Sequence, residues 1–292
     1  MAAKVGYLGP KGTFTKIAVN ELFPRENKIP FDTIPACIDG VMNGELDYAV
    51  VPLENAIEGS VNLTIDYLIH ESTLPIVGEI VVPIRQHLMV HPTNKDKWKD
   101  ITSVLSHPHA IAQCHQYLHK NLPNSKLEYV KSTGAAAEYV EEHPEECIAA
   151  IGNALAAEEY HLEIVSRDIH DYDNNKTRFV VLNRNVVDLS TNNPLYQGDR
   201  TMLMVTLPSD YAGALHQVLS AFAWRKLNLS KIESRPMKTG LGNYFFIIDV
   251  EMKKDDVLIP GAIGELESLG CSVKILGSFP VYFVGKETMA NK

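Results

Sequence analysis

Five stretches of the chain carry side chains suited to holding or acting on a small polar molecule. Gly9-Pro10-Lys11-Gly12-Thr13 lies between an apolar strand-like run and an apolar-periodic helix. A helix N-terminus offers N–H groups without intrahelical partners and the positive end of a dipole. Gly12 and Thr13 can therefore hold a carboxylate or a phosphate, although an ordinary capped turn would use the same residues. The spacing is not that of a P-loop, and no G-x-G-x-x-G occurs, so nucleotide cofactors find no support. Next, Pro52-Leu53-Glu54-Asn55-Ala56-Ile57-Glu58-Gly59-Ser60 follows a short apolar run. In open α/β sheets ligands bind beyond the carboxyl ends of the strands, where Glu54 and Asn55 would project. The plain alternative is a solvated loop leading into a helix near Asn62.

The third stretch, Ser106-His107-Pro108-His109 with Gln113-Cys114-His115, is the most chemically loaded. One reading is a metal site from His107, His109, Cys114 and His115. His115 and His119 also stand four apart, but the Glu of an H-E-x-x-H motif is absent. The other reading is a strand end at Ser106 and a first helical turn supplying polar contacts. A Ser-His-Asp hydrolase would need a G-x-S-x-G elbow, which is missing. Fourth, Thr177-Arg178-Phe179 enters an apolar strand. Strand alternation is read here as turning Thr177 to a cleft and Phe179 to the core. Last, Gly213-Ala214-Leu215-His216 opens a helix, and Asn228 and Leu229 lead to Glu233-Ser234-Arg235-Pro236. Plain packing with a charged turn outside would explain that pair equally well.

The elements that must position these residues follow from hydrophobic periodicity. Strands are expected at 4–9, 31–34 and 48–52. Between them run helices, one with Phe14, Ile17, Ala18 and Leu22 on its apolar face and one through Cys37, Ile38, Val41 and Met42. This β-α-β-α-β order predicts an open parallel sheet with helices on both faces. A β-branched run at 76–82 leaves that lobe. A second α/β series follows, with strands at 103–105, 127–130 and 148–151 and helices at 110–118, 135–141 and 154–160. The chain then crosses back over 164–179, and two crossings would leave a cleft between two lobes. Residues 186–198 are polar and turn-rich, as a linker is. Beyond them, strands at 201–207, 229–234, 244–252 and 272–283 and helices at 213–226 and 256–269 give βαββαβ, a ferredoxin-like plait. A Gly-containing turn joins its second and third strands.

Composition bounds the function. The 292 residues are 45% hydrophobic and 22% charged, ordinary for a globular protein of about two domains. A net charge of −9 argues against nucleic acid as a partner. No apolar run approaches the roughly 18 residues of a membrane helix. No signal-peptide pattern precedes the first strand, and Cys37, Cys114, Cys147 and Cys271 form no Cys-x-x-Cys pair. A cytoplasmic protein without disulfides or structural zinc is expected.

Taken together these stretches resemble prephenate dehydratases over nearly the whole chain. The residues that carry the resemblance are G-Y-L-G-P-K-G-T-F-T at 6–15, V-P-L-E-N-A-I-E-G-S-V at 51–61, S-H-P-H-A-I-A-Q-C at 106–114, S-T-G-A-A-A at 132–137 and T-R-F at 177–179. The G-A-L-H at 213–216 and E-S-R-P at 233–236 resemble phenylalanine-binding motifs of an ACT regulatory domain. The family pattern differs at Ala56, where Ser or Thr is common, at His109, where Gln is common, and at Lys131, where some members have Glu.

The resemblance implies an α/β protein. A two-lobed catalytic domain like type II periplasmic binding proteins would span 1–185, with lobe 1 at about 1–78 and 170–185 and lobe 2 at about 79–169. A linker at 186–199 would lead to an ACT domain of ferredoxin-like βαββαβ form at 200–283. The implied reaction is the decarboxylating dehydration of prephenate to phenylpyruvate in L-phenylalanine biosynthesis, without metal or organic cofactor and under feedback control by L-phenylalanine. Starting at its first strand, the chain is expected to be monofunctional. Thr177 would act on the leaving hydroxyl, beside the cleft residues Glu54, Asn55, Ser106 and Gln113. Gly12, Thr13, Arg178, Ser132 and Thr133 would bind substrate. Gly213, Ala214, Leu215, His216, Asn228, Leu229, Glu233, Ser234, Arg235 and Pro236 would bind the effector. A homodimer or homotetramer through the ACT domain is implied. The alternatives are an arogenate dehydratase, or a non-enzymatic amino-acid sensor whose cleft merely binds.

Overall fold

A computed structural model describes residues 2–209, 211–237 and 244–285. The described chain forms two compact units. One takes the residues up to Ser72, Ile80–Val180 and 284–285; the other takes Thr73–Glu79 and Val181–Phe283.

In the first unit, β1 (Lys4–Leu8), β2 (Asn27–Phe31) and β3 (Tyr48–Asn55) alternate with α1 (Phe14–Leu22) and α2 (Ile34–Met42). β1 lies between β2 and β3. Its pairing with both is parallel, as expected. The second strand comes four residues earlier than its apolar pattern suggested, because Thr33 caps α2 through the Ala36 N–H at 3.2 Å and takes Ile34 into the helix. The buried face of α1 is Thr15, Ala18 and Val19, so Phe14, Ile17 and Leu22 are only half-buried. β3 runs three residues further than expected. Glu54 and Asn55 are its last rungs, paired with β4 (Gly59–Ser60), and α3 (Asn62–His70) follows. β5 (Ile76–Pro83), which belongs to this unit from Ile80 on, and β11 (Lys176–Leu182), which belongs to it up to Val180, complete the order β5-β11-β3-β1-β2.

A second sheet in the same unit has the order β10 (Glu163–Ser166), β6 (His87–Val90), β9 (Ile148–Gly152), β7 (Ser103–Ser106), β8 (Lys126–Tyr129). It is mixed: β7 is parallel to β8 and β9, while β6 is antiparallel to β9 and β10. β6 had no separate signal in the sequence, being a four-residue run behind a longer β-branched one. Alternate residues feed opposite faces. Leu88, Val90, Val104, Ala149 and Ile151 meet α4 (Pro108–Ala112) and α5 (His115–Asn121) through Ala110, Ile111 and Leu118. Met89, Leu105, Ile148 and Ala150 meet α6 (Thr133–Glu142) and α7 (Ala154–Glu159) through Ala136, Ala137, Val140 and Ala156.

The single helix expected over 110–118 is broken at Gln113 and Cys114. Asp171, from the loop before β11, donates its N–H to the Gln113 carbonyl at 2.7 Å and accepts from the Gln116 N–H at 3.1 Å. One loop residue thus satisfies both ends of the break.

His87, on β6, accepts the Asp168 N–H at Nδ1 at 2.9 Å, which requires a neutral imidazole. Burial lowers its pKa from 6.5, outweighing the opposing pull of Asp168. Above about 6.5 both folded and unfolded chains hold it neutral. As pH falls from there toward the depressed native value, the unfolded chain takes the proton first, so stability should decline. Urea unfolding across this range should show that decline in the wild type and a shallower one in His87→Gln. Equal slopes would mean His87 is not the group responsible.

The second unit contains β12 (Tyr196–Thr206), α8 (Ala214–Ala223), β13 (Leu229–Pro236), β14 (Tyr244–Val250), α9 (Leu258–Ser268) and β15 (Ser272–Phe283). The expected βαββαβ order is present, with strand order β13-β14-β12-β15 and antiparallel neighbours throughout. β12 begins at Tyr196, so the last four residues of the expected linker are strand, paired with β15 up to Tyr196↔Tyr282. The expected Gly-containing turn, at 238–243, lies outside the described residues. Leu203, Val205, Ile248 and Val250 form one apolar face with Val218 and Phe222 of α8 and Ile259 and Leu266 of α9.

Candidate active site

A cavity of about 550 Å³ opens within the first unit. Most of its wall comes from element ends: the end of β1 and the turn before α1, the turn between β2 and α2, β3 and the β3–β4 hairpin, the segment between β5 and β6, α4, the residues leading into α6, and the first half of β11. Of the residues singled out in the sequence, Thr13, Asn55, His107, His109, Gln113, Ser132, Thr133 and Thr177 reach this wall, while Gly12, Glu54, Ser106, Cys114, His115 and Arg178 do not.

Thr177 and Asn55 meet at the end of adjacent strands. Asn55 Nδ2 donates to Thr177 Oγ1 at 2.8 Å. The same amide is held by the Ile57 and Glu58 N–H groups, which donate to its Oδ1 at 3.0 and 3.1 Å. With Oδ1 occupied by its own hairpin, Nδ2 must face Thr177. Thr177 Oγ1 therefore accepts from the protein, and its hydrogen is left to donate to an acceptor in the cavity.

Thr177 and Phe179 both line the cavity. The expectation that they face opposite ways is corrected: residues two apart on a strand share a face. Arg178 and Glu54 point the other way from Thr177 and Asn55, and they pair with each other at 2.6 Å. This ion pair backs the wall rather than forming it.

Gln113 sits in a hydrogen-bonded chain. Asn175 Nδ2 donates to Gln113 Oε1 at 3.0 Å, and Gln113 Nε2 donates to Glu58 Oε1 at 3.4 Å. His109 Nδ1 lies 3.6 Å from the other Glu58 oxygen. Ser106 is buried and donates to the Ile151 carbonyl at 2.7 Å, so its hydroxyl is spent on the scaffold.

Two helix N-termini converge on the cavity. Thr13 caps α1, accepting from the Lys16 N–H at 3.4 Å, and Ser132 caps α6, accepting from the Ala135 N–H at 3.0 Å. Gly12 acts from behind: it has φ +70, and its carbonyl accepts from Asn153 Nδ2 at 2.8 Å. A Cβ at Gly134 would stand 2.4 Å from the Lys11 carbonyl, so only glycine lets the two termini approach this closely. Lys131 adds a cation to the wall, and Asp32 and Glu58 add carboxylates.

The histidine cluster does not gather ligands. Among the described residues no group of three or more His, Cys, Asp or Glu side chains is arranged to hold a metal. His107 Nδ1 accepts the His109 N–H at 3.3 Å, and burial, followed by the nearby His109, lowers the His107 pKa. Burial pushes the Cys114 thiol up and so keeps it protonated. Gln86 and Lys131 line the cavity without having been picked as site residues. Gln86 belongs to no motif; only its place beside a strand start in the folded chain reveals it.

In the second unit, Gly213 has φ +93 and forms the N-cap of α8, which Ala214, Leu215 and His216 begin. Asn228 donates from Nδ2 to Glu251 Oε2. Leu229, Glu233, Ser234, Arg235 and Pro236 lie on β13, which ends that unit's strand order. Glu233 pairs with Arg235 and with Lys231, both at 3.1 Å.

Comparison with known proteins places the chain. The family profile described as prephenate dehydratase matches residues 5–186. A prephenate dehydratase of Bacillus subtilis (strain 168) is 58% identical over 282 residues, covering 96% of this chain and 99% of the relative. A crystal structure of prephenate dehydratase in complex with L-Phe from Arthrobacter aurescens superposes with a TM-score of 0.83 at 34% identity, covering 94% of this chain and 89% of that one. A structure described as GqqA, a novel type of quorum quenching acylase, superposes with a TM-score of 0.82 at 27% identity, covering 95% of this chain and 98% of that one. With the profile covering more than half its length and a relative matched end to end, the chain belongs to the prephenate dehydratase family, enzymes that convert prephenate to phenylpyruvate, water and carbon dioxide.

Proposed function

We propose that the cavity is where prephenate is dehydrated and that Thr177, oriented by Asn55, assists departure of the ring hydroxyl. The observation that carries this reading is the 2.8 Å contact from Asn55 Nδ2 to Thr177 Oγ1 at the cavity wall. In the reaction the bond from the ring to its carboxylate breaks and CO2 leaves. The electron pair moves through the ring and expels the hydroxyl as the ring becomes aromatic. Negative charge grows on the departing oxygen, and a donor aimed there acts most strongly in the transition state. Asn55, by donating to Oγ1, stabilises negative charge on that oxygen and eases donation of its hydrogen. The N-termini of α1 and α6, with Lys131, are suited to the two carboxylates of the dianion. Gln113, held by Asn175 and Glu58, lines the cavity as well, and Glu54, Arg178, Ser106 and Gly12 lie behind its lining. The hydroxyl of Ser106 is held by the Ile151 carbonyl, which does not favour an acyl-transfer reading.

We assign residues 1–185 to a catalytic domain with periplasmic-binding-protein-like lobes, 186–199 to a linker and 200–283 to a regulatory ACT domain. L-Phenylalanine is its effector, a reading supported by the L-Phe complex of the Arthrobacter aurescens relative. Gly213 to His216 and Asn228 to Pro236 would form its pocket, completed by a second copy of the chain. The end position of β13 and the exposed Trp224, Leu215 and Ile232 support pairing into a dimer or tetramer. The four cysteines are free thiols, which suits the cytoplasm.

The test is a phenylpyruvate assay on the full chain, with and without L-phenylalanine. Asn228→Ala should leave the uninhibited rate within about twofold of wild type and raise the half-inhibitory concentration about tenfold or more, within the usual range of allosteric coupling. Unchanged inhibition would move the effector away from these residues.

A further inference from the structure

Gln86 stands in the wall of the cavity at 2% exposure, between β5 and β6. Its backbone is fixed on both sides: its carbonyl accepts the Ile169 N–H at 2.8 Å, and its N–H donates to His170 Nδ1 at 3.4 Å. Its side-chain amide is different. Oε1 is buried and has no hydrogen-bond partner among the described residues. That orphaned oxygen weakens the folded chain, because its hydration is lost and nothing replaces it. Nε2, by contrast, is not among the fully buried atoms and has no partner among the described residues either, so it is the end of the amide free to donate to a ligand. Such a group, fixed on a rigid backbone at the wall of a cavity, is what a site for a polar ligand requires.

We propose that Gln86 is a substrate-contacting residue whose side-chain amide hydrogen-bonds prephenate in the bound state, its N–H2 end donating to a substrate carboxylate. The inference rests on the assignment of this cavity as the reaction site. A dianion entering the cavity needs donors beyond the two helix termini, and it meets Asp32 and Glu58 in the wall as well as Lys131. An uncharged amide supplies a donor at that point without adding a further charge to the balance. The contact would be made in the ground state and kept in the transition state, so its loss should appear in KM rather than in kcat.

Gln86→Leu tests this, because leucine removes both polar atoms at similar size. Loss of one hydrogen bond to a charged group should raise KM for prephenate about 10- to 100-fold with kcat nearly unchanged. The melting temperature of the substrate-free protein should stay level or rise, since a buried amide oxygen without a partner has been replaced by an apolar group. A structural role predicts the opposite pairing. A lowered melting temperature with unchanged KM, or a KM within twofold of wild type, would overturn the proposal. Gln86→Glu provides a second reading: a carboxylate there would repel the dianion and should raise KM at least as far as leucine does. If Gln86→Glu binds prephenate as wild type does, the amide faces no carboxylate and the assignment is wrong. Thr177→Ala, assayed in parallel, keeps the two ideas separate. Loss of kcat in Thr177→Ala with no effect in Gln86→Leu sinks only the Gln86 contact, whereas no effect in Thr177→Ala sinks the assignment of the cavity.

Discussion

Thr177→Ala is expected to lower kcat for phenylpyruvate formation by about 10²–10³ while KM changes little, by analogy with removal of one oxyanion-hole donor. The argument is differential. The departing oxygen is a neutral hydroxyl in the ground state and carries growing negative charge in the transition state, so a donor there strengthens as the reaction proceeds. Thr177 is fixed for this by its place on β11 and by the Asn55 contact. Thr177→Ser keeps the hydroxyl and should recover much of the rate. Asn55→Leu should lower kcat as well, since it frees the Thr177 hydroxyl to rotate. A Thr177→Ala enzyme with normal kcat and raised KM would show that the hydroxyl only binds.

Replacing Arg200 should have the largest effect on stability. Arg200 Nη1 pairs with Glu79 Oε1, and its Nε lies 4.0 Å from Asp249 Oδ2. Both carboxylates have no solvent exposure, and all three residues belong to the second unit. Arg200→Met would remove the cation that faces both acids in a medium where charge is poorly solvated. Breaking one side of a buried ion pair typically costs about 3–5 kcal/mol. Denaturant unfolding of the full chain measures this. The triple variant Arg200→Met, Glu79→Gln, Asp249→Asn should recover part of the loss, because the cost lies in buried charge rather than in lost volume. A change below about 1 kcal/mol in Arg200→Met would mean that water or other partners already screen the acids.

Much of this protein was legible in its residue order. The alternation of apolar runs with capped helices gives the first sheet and the plait, because periodicity and capping are local properties. Thr13, Thr33, Ser132 and Asn153 each cap a helix through a side-chain oxygen; β6 and β10, four-residue strands of the second sheet, were not legible in the same way. The quoted motifs led to Thr177, Asn55, Gln113, Thr13, Ser132 and Thr133, which share one cavity.

What the residue order did not determine was which way neighbours in a motif point and who meets whom across the chain. Glu54 beside Asn55, and Arg178 beside Thr177, are adjacent in sequence but lie on opposite strand faces, so each motif divides between the cavity and the ion pair behind it. The register of β3 against its neighbours fixes that division, and register is a property of pairing rather than of either strand alone. The break between α4 and α5 depends on Asp171, 55 residues from Gln116 in sequence. Gln86 carries no local signal at all. It became a site residue only because folding brought the segment between β5 and β6 to the cavity wall and left its amide oxygen without a partner among the described residues. Local propensity and patterning set the elements in sequence; the burial of polar groups, which depends on contacts between distant segments, was decided only by the tertiary structure.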